Sequence, residues 1–157
     1  MSFEKWEISK EVLKDTARVL ASGNHEIFVL WTAARNQIGS TCRISRLIVP
    51  EQTPESTPYG VAVLVKGNEL ARIAFDNHRR GEKSVAQLHT HPTADVEMSD
   101  LDRRREVIRY VGGLSLIVPW YGRHGLAGFS AVNVYERDHD GWRLWAEEEK
   151  ERRLVIE

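Results

Sequence analysis

Apolar residues recur along this chain with two periods, one typical of helices and the other of strands. Between Val12 and Leu20 they keep helical spacing, after Ser9, which suits an N-cap, and before Gly23, which suits a helix end. Residues 26–32 form a nearly continuous apolar run of strand length. The first part of the chain therefore predicts a helix followed by a mostly buried strand.

The rest of the chain mixes strands and helices without a regular βαβ repeat. A second helix is predicted from an Asn68 cap to near Gly81, and a third over residues 99–111. Residues 51–58, with two prolines, predict a loop, and residues 147–153 predict a solvated helix or a frayed end. This order favours an α+β fold. Further strands are predicted at residues 41–49, 61–65, 84–91, 114–118, 129–135 and 142–145.

Composition and charge are those of an ordinary soluble protein. With 157 residues, 41% of them apolar and 29% charged, the chain predicts one domain over residues 1–157. The net charge of −1 argues against binding to nucleic acid or to an anionic membrane. Residues 1–7 are charged and lack an apolar h-region, so no signal peptide is expected, and the lone Cys42 fits a reducing compartment. We therefore expect a cytoplasmic protein.

The segment from His89 to Asp102 carries the strongest chemical signal. Side chains at positions i and i+2 of a strand point the same way, so His89 and His91 can face one cation together. Asp102 can supply a third ligand if the chain turns back after the strand. Three protein ligands and a water molecule are typical of a catalytic zinc ion, whereas structural zinc ions have four protein ligands.

The same residues resemble a known family. His89, His91, Pro92, Ser99 and Asp102 reproduce the core motif of the JAB/MPN (JAMM) metalloproteases. The resemblance implies an MPN/JAB-like (cytidine-deaminase-like) mixed β-sheet flanked by helices. It also implies one Zn²⁺ per chain and a proteolytic reaction.

The resemblance assigns two further residues to catalysis. The family uses a glutamate on an early strand, and Glu26, which opens an apolar run, matches that placement. Many relatives carry Gly-x-Leu-x-Gly just after the glutamate, whereas Phe28 and Trp31 occupy that stretch here. Glu26 is implied to be the general base, with Glu97 as the alternative carboxylate, and Ser99 to stabilise the oxyanion.

Asp102 also has a purely structural interpretation. The sequence from Ser99 to Asp102 is a capping box, in which each side chain bonds the backbone of the other residue. Capping and metal binding are compatible for Ser99, but we expect them to compete for the carboxylate of Asp102. The two histidines favour the metal.

The resemblance also implies a substrate class. Family members cleave after the C-terminal tail of ubiquitin or a ubiquitin-like protein, and some bacterial members accompany E1-like and E2-like enzymes in antiphage operons. A deubiquitinase-like enzyme of that kind is the leading hypothesis. The alternatives are a peptidase for sulfur-carrier precursors or cell-wall or phage-tail peptides, and a DNA-repair-associated relative that uses the basic residues 103–109. A noncatalytic scaffold is disfavoured because the metal motif is complete.

Overall fold

The computed structural model describes residues 2–58 and 60–157, which form one eight-stranded sheet, a separate two-stranded hairpin and four α-helices. The strands are β1 (Lys5–Ile8), β2 (Phe28–Ala34), β3 (Thr41–Ile48), β4 (Thr53–Thr57), β5 (Gly60–Leu64), β6 (Glu82–Thr90), β7 (Leu114–Val118), β8 (Asn133–Arg137), β9 (Trp142–Leu144) and β10 (Leu154–Ile156). The helices are α1 (Lys10–Leu20), α2 (Gly67–Arg79), α3 (Asp100–Arg104) and α4 (Glu147–Arg153). None of these helices is both long and apolar enough to cross a membrane.

The strand order of the large sheet is β10-β1-β3-β2-β6-β7-β8-β9. Strand β6 pairs antiparallel with β2 and parallel with β7, so that His89 lies between Phe28 and Ile117. The start of β2 and the carboxyl ends of β6 and β7 therefore lie next to one another, on the side of the sheet where these strands begin or end. The polar residues described below lie on this side.

Helices cover both faces of the central strands. Val29 and Trp31 of β2 pack in a cluster to which α1 contributes Leu20. Leu30, between them in the sequence, packs on the other face with Ile73 of α2. Because side chains alternate along a strand, a strand covered on both sides becomes a continuous apolar run, as in residues 26–32.

Two short strands near the chain ends, β1 and β10, were not predicted from the sequence. Strand β1 lies parallel to both β3 and β10, with Trp6 opposite Leu154. Strands of four and three residues are too short to show a period of their own. Residues 147–153, which precede β10, form a helix whose Lys150 and Arg153 are buried. The prediction of a helix here is confirmed, with four of its seven residues exposed, but the helix is not fully solvated and the end is not frayed.

Helix α3 ends at Arg104, much earlier than the predicted residue 111. The cause is a buried side chain from β6. Gln87 Oε1 accepts hydrogen bonds from the backbone N–H groups of Val107 (2.9 Å) and Ile108 (3.0 Å). These bonds replace those that a continued helix would supply, and Ile108 instead enters the core beside Ile73.

Three smaller boundaries also differ from the predictions. Strand β4 lies inside the predicted loop and pairs antiparallel with β5, which is compatible with Pro54 because each strand of a hairpin has an unpaired edge. Helix α2 begins at Gly67 after an extended Lys66, not at an Asn68 cap. Strand β8 begins only at Asn133, because Phe129 adopts a left-handed conformation with φ 53°.

We expect Gly113→Ala to lower the free energy of unfolding by about 1–3 kcal/mol, since extra atoms in a packed core force their neighbours to move. A Cβ atom at this position would lie 2.1 Å from Cγ2 of Ile108. Gly67→Ala is the matched control, because nothing lies within 4 Å of its Cβ position. Urea denaturation of both variants checks the prediction, and equal stability of the two would contradict it.

Candidate metal centre and active site

Three side chains converge at the carboxyl end of β6. The Nε2 atoms of His89 and His91 are 3.1 Å apart. The two carboxylate oxygens of Asp102 lie 3.2 Å from them, Oδ1 from His89 and Oδ2 from His91. His89 is only 5% exposed. The structure thus brings together the three residues that the sequence predicts as metal ligands.

The spacing of these atoms fits a small cation. One ligand atom from each of the three residues lies within 4.8 Å of the other two, which is close enough for a single cation to contact all three. Within the part of the chain that the structure describes, His89, His91 and Asp102 are the one group of three or more such residues that could hold a metal ion. The other four histidines do not contribute to such a group.

A backbone carbonyl orients the ring of His91. Its Nδ1 lies 2.8 Å from the carbonyl oxygen of Asp95. Because a carbonyl oxygen only accepts hydrogen bonds, Nδ1 carries a proton, and Nε2 is the nitrogen that would bind a metal ion. The role of Asp95 was not predicted from the sequence, because its backbone carbonyl supplies the bond and the residue type gives no signal for it.

Asp102 serves the helix cap and the cluster together. Its Oδ2 accepts the backbone N–H of Ser99 at 2.9 Å, while Ser99 Oγ accepts the N–H of Asp102 at 3.0 Å. The carboxylate thus completes the cap while each of its oxygens faces one imidazole. Burial by itself would raise the pKa of Asp102, but hydrogen bonds from His89 and His91 hold that pKa well below its usual range.

Glu26 lies beside the cluster, just before β2. It lines a cavity of about 190 Å³ together with His89 and Asp102. Burial raises the pKa of its carboxyl, an effect that the imidazoles of His89 and His91 oppose. Hydrogen bonds at the two residues that follow Glu26 fix the backbone here. Thr90 Oγ1 accepts the N–H of Ile27 at 3.0 Å, and the Gln52 amide bonds the backbone N–H and carbonyl of Phe28 at 2.7 Å each. Gln52 was not predicted from the sequence, since it lies 24 residues from Phe28.

A strained turn supports the loop that carries His91. Trp120 and Tyr121 follow β7 with left-handed φ values of 58° and 52°. Such conformations cost about 1–3 kcal/mol for each residue that is not glycine. The backbone N–H of Tyr121 bonds the carbonyl of His91 at 2.9 Å, and that of Trp120 bonds Thr93 at 3.1 Å. The strain is therefore located directly beside the candidate ligands.

Cys42 is fully buried, and burial raises its pKa to about 11, so its thiol stays protonated at neutral pH. A buried, protonated thiol is a poor nucleophile. Among the basic residues 103–109, Arg105 pairs with Glu55 of the hairpin at 2.8 Å.

Comparison with known proteins agrees with this geometry. No protein-family model matches the chain. It is 31% identical over 121 residues, 77% of this chain and 72% of the other, to the probable metalloprotease y4jG of Sinorhizobium fredii (strain NBRC 101917 / NGR234).

Two solved structures share the fold. AF2198, a JAB1/MPN domain protein from Archaeoglobus fulgidus, superposes with a TM-score of 0.52 at 15% identity and 98% coverage of both chains. A structure described as the JAMM metalloprotease-like zinc site of the proteasome and signalosome gives a TM-score of 0.51 at 16% identity, again covering 98% of both. These likenesses confirm the predicted α+β fold, a mixed sheet flanked by helices. Together with the identity to y4jG, they show that the chain belongs to the JAB/MPN (JAMM) metalloprotease family.

Proposed function

We propose that this protein is a zinc-dependent isopeptidase or peptidase that cleaves after the C-terminal tail of a ubiquitin-like protein, either to release a conjugate or to process a precursor. The observation that carries the proposal is the convergence of His89, His91 and Asp102 within 3.2 Å, with Glu26 lining the same cavity. The JAMM zinc site with the same fold supports zinc as the metal.

His89, His91 and Asp102 would hold the zinc ion and leave its fourth position open. When bound there, zinc supplies a Lewis acid for the scissile carbonyl and lowers the pKa of a coordinated water toward about 7. The protein positions this chemistry through the Asp95 carbonyl, which orients His91, and through the Ser99 N–H, which holds Asp102.

Glu26 is placed to move the proton. Among the described residues, no group donates a hydrogen bond to its carboxylate, so both oxygens can accept from a water molecule in the cavity. The raised pKa of the Glu26 carboxyl lies closer to neutral pH than the ordinary value for glutamate. A group whose pKa is near the working pH can both take up and release a proton. We propose that Glu26 accepts the proton of the attacking water and then gives it to the departing amine.

Ser99 is placed to stabilise the oxyanion. Its Oγ accepts the N–H of Asp102, which leaves the hydroxyl hydrogen available to a substrate oxygen. The residue is exposed, so a substrate can reach it. Its hydrogen bond would strengthen as negative charge develops on the carbonyl oxygen.

We expect Ser99→Ala to lower kcat about 10²- to 10³-fold, because one oxyanion donor is lost. The zinc content should stay unchanged, since Ser99 holds Asp102 through its backbone N–H, which alanine retains. Ser99→Thr is the matched control and should keep most of the activity, because it retains both the hydroxyl and the cap. Steady-state kinetics with metal analysis checks this, and equal kcat values for the two variants would contradict the assigned role.

The substrate class is proposed from the family resemblance. A ubiquitin-like tail is an extended chain, and small residues at its end let the backbone approach a metal closely. E1-like and E2-like conjugation enzymes encoded nearby would be the accompanying partners, in an antiphage pathway of the cytoplasm. A sulfur-carrier precursor or a cell-wall or phage-tail peptide would use the same site residues.

The decisive experiment incubates the zinc-loaded protein with a ubiquitin-like protein encoded beside its gene, carrying either a C-terminal extension or an isopeptide-linked lysine. Mass spectrometry should find cleavage just after the tail glycine. A zinc chelator should abolish it, whereas thiol alkylation should not, because Cys42 is buried. If the ubiquitin-like fusion stays intact while short generic peptides are hydrolysed, the proposal of an isopeptidase is wrong and the protein is a processing peptidase.

A further inference from the structure

The cavity beside the candidate metal ligands extends well past them. On one side lie Glu26, His89 and Asp102. On the other side the lining is apolar and comes from four separate parts of the fold, with Phe28 from β2, Val63 from β5, Leu70 from α2 and Val107 from the segment after α3. A substrate bound at the metal would therefore present a neighbouring side chain to an apolar wall.

The polar groups around this wall are engaged within the protein. Gln87 lines the cavity, but its Oε1 already accepts from Val107 and Ile108, and its Nε2 donates to Ser115 at 3.3 Å. Three further charged side chains line the cavity. Arg105 pairs with Glu55 at 2.8 Å and Glu106 with Arg137 at 2.6 Å, whereas Arg109 is exposed and donates to the backbone carbonyl of Glu106 at 3.4 Å. The apolar wall consequently favours an apolar group.

The size of the cavity suits one medium-sized side chain. A cavity of about 150 Å³ lined by aliphatic and aromatic residues is known to hold benzene. The space of about 190 Å³ here includes the part beside Glu26, His89 and Asp102, and its apolar part can take one side chain of leucine size. We propose that this cavity is a specificity pocket for one apolar substrate side chain of leucine size, near the scissile bond. The position of that bond rests on the proposed function.

The hairpin formed by β4 and β5 supplies part of the pocket wall, and an ion pair links it to the end of α3. Val63, on β5, belongs to a two-stranded sheet that is separate from the large one. The Arg105–Glu55 ion pair joins the other strand of this hairpin to the end of α3, the helix that carries Asp102. The ion pair thus links the hairpin, which carries Val63 of the pocket wall, to the helix that carries the candidate metal ligand Asp102.

Binding is measured first, with the zinc-loaded Glu26→Gln variant, so that turnover does not interfere. The probes are capped tripeptides Gly-X-Gly in which X is glycine, alanine, leucine, phenylalanine or aspartate. Their binding is measured from the changes in the protein's amide chemical shifts in ¹⁵N NMR spectra. We expect leucine to bind about 10- to 100-fold more tightly than glycine, with the largest shifts at Val63, Leu70 and Val107. Equal affinity for all five peptides would overturn the proposal.

Two substitutions should change the preference in opposite directions. Val63→Phe narrows the pocket and should remove the preference for leucine over alanine, whereas Leu70→Ala widens it and should favour phenylalanine. The matched controls are Ile38→Phe and Leu144→Ala, at positions 98% and 50% exposed, which should keep the original ranking. General destabilisation cannot produce opposite shifts. An unchanged ranking in both folded pocket variants would overturn the proposal.

The same peptides separate this proposal from the proposed function. Wild-type protein that binds the leucine peptide selectively but hydrolyses neither ubiquitin-like fusions nor peptides would support the pocket and contradict the peptidase. Hydrolysis that is indifferent to every side chain near the cleaved bond would support the peptidase and overturn the pocket.

Discussion

Asp102→Ala is expected to leave the purified protein without zinc and without measurable proteolysis, whereas the wild type should contain about one ion per chain. The carboxylate is one of three ligands, and it lies 3.2 Å from the Nε2 atoms of both histidines. Its removal leaves two imidazoles, fewer than the three protein ligands of typical catalytic zinc sites. His89→Ala should have the same effect. Metal analysis by mass spectrometry after dialysis measures both variants.

Asp102 also caps α3, so the alanine variant could fail for a structural reason. Asp102→Asn addresses this, because its amide oxygen can still accept the N–H of Ser99 while the charge toward the metal is lost. We expect Asp102→Asn to keep the circular dichroism spectrum of the wild type and to lose most of its zinc. The control is Asp100→Ala, on the same helix but outside the cluster, which should remain fully loaded. Full occupancy in both His89→Ala and Asp102→Asn would refute the ligand assignment.

The second large effect is expected for Glu26→Gln. Glutamine has nearly the same shape but cannot accept the water proton, so kcat should fall about 10²- to 10⁴-fold. The zinc content and the melting temperature should stay close to those of the wild type, since Glu26 is not among the three clustered ligands. Kinetics on the ubiquitin-like fusion, with metal analysis of the same sample, checks all three expectations.

Glu97→Gln is the control for this second prediction. Glu97 is an exposed carboxylate within the same motif, and its backbone N–H bonds the Asp95 side chain at 3.0 Å. Its substitution should leave kcat near the wild-type value. If Glu97→Gln were inactive and Glu26→Gln fully active, Glu97 would be the base.

The local parts of the candidate site could be predicted from the sequence because they are set by short-range geometry. His89 and His91 share a direction through the period of a strand, and the spacing of Ser99 and Asp102 is that of a capping box. The placement of Glu26 came from resemblance to a family, since 63 residues separate it from His89. Only the antiparallel pairing of β2 with β6 brings the two into one cavity.

The supporting groups were beyond sequence reasoning because they act across long separations or through the backbone. In the sequence Gln87 is one more residue of a predicted strand. Its side chain nevertheless ends α3, because it accepts the backbone N–H groups of residues 20 and 21 positions further along the chain. The Asp95 carbonyl orients His91 independently of the aspartate side chain.

The long buried strands, the first helix and the candidate ligands can be predicted from the sequence, because periodicity and motif spacing are properties of neighbouring residues. The end of α3 and the pairing of the chain ends depend on the folded arrangement, as when Arg153 donates to the carbonyl of Glu4 at 3.1 Å. The folded arrangement also decided that a hairpin walls the cavity beside the metal site. The physical reason is that short strands, buried amides and ion pairs are stabilised by partners distant in the chain, and a single sequence leaves those partners unspecified.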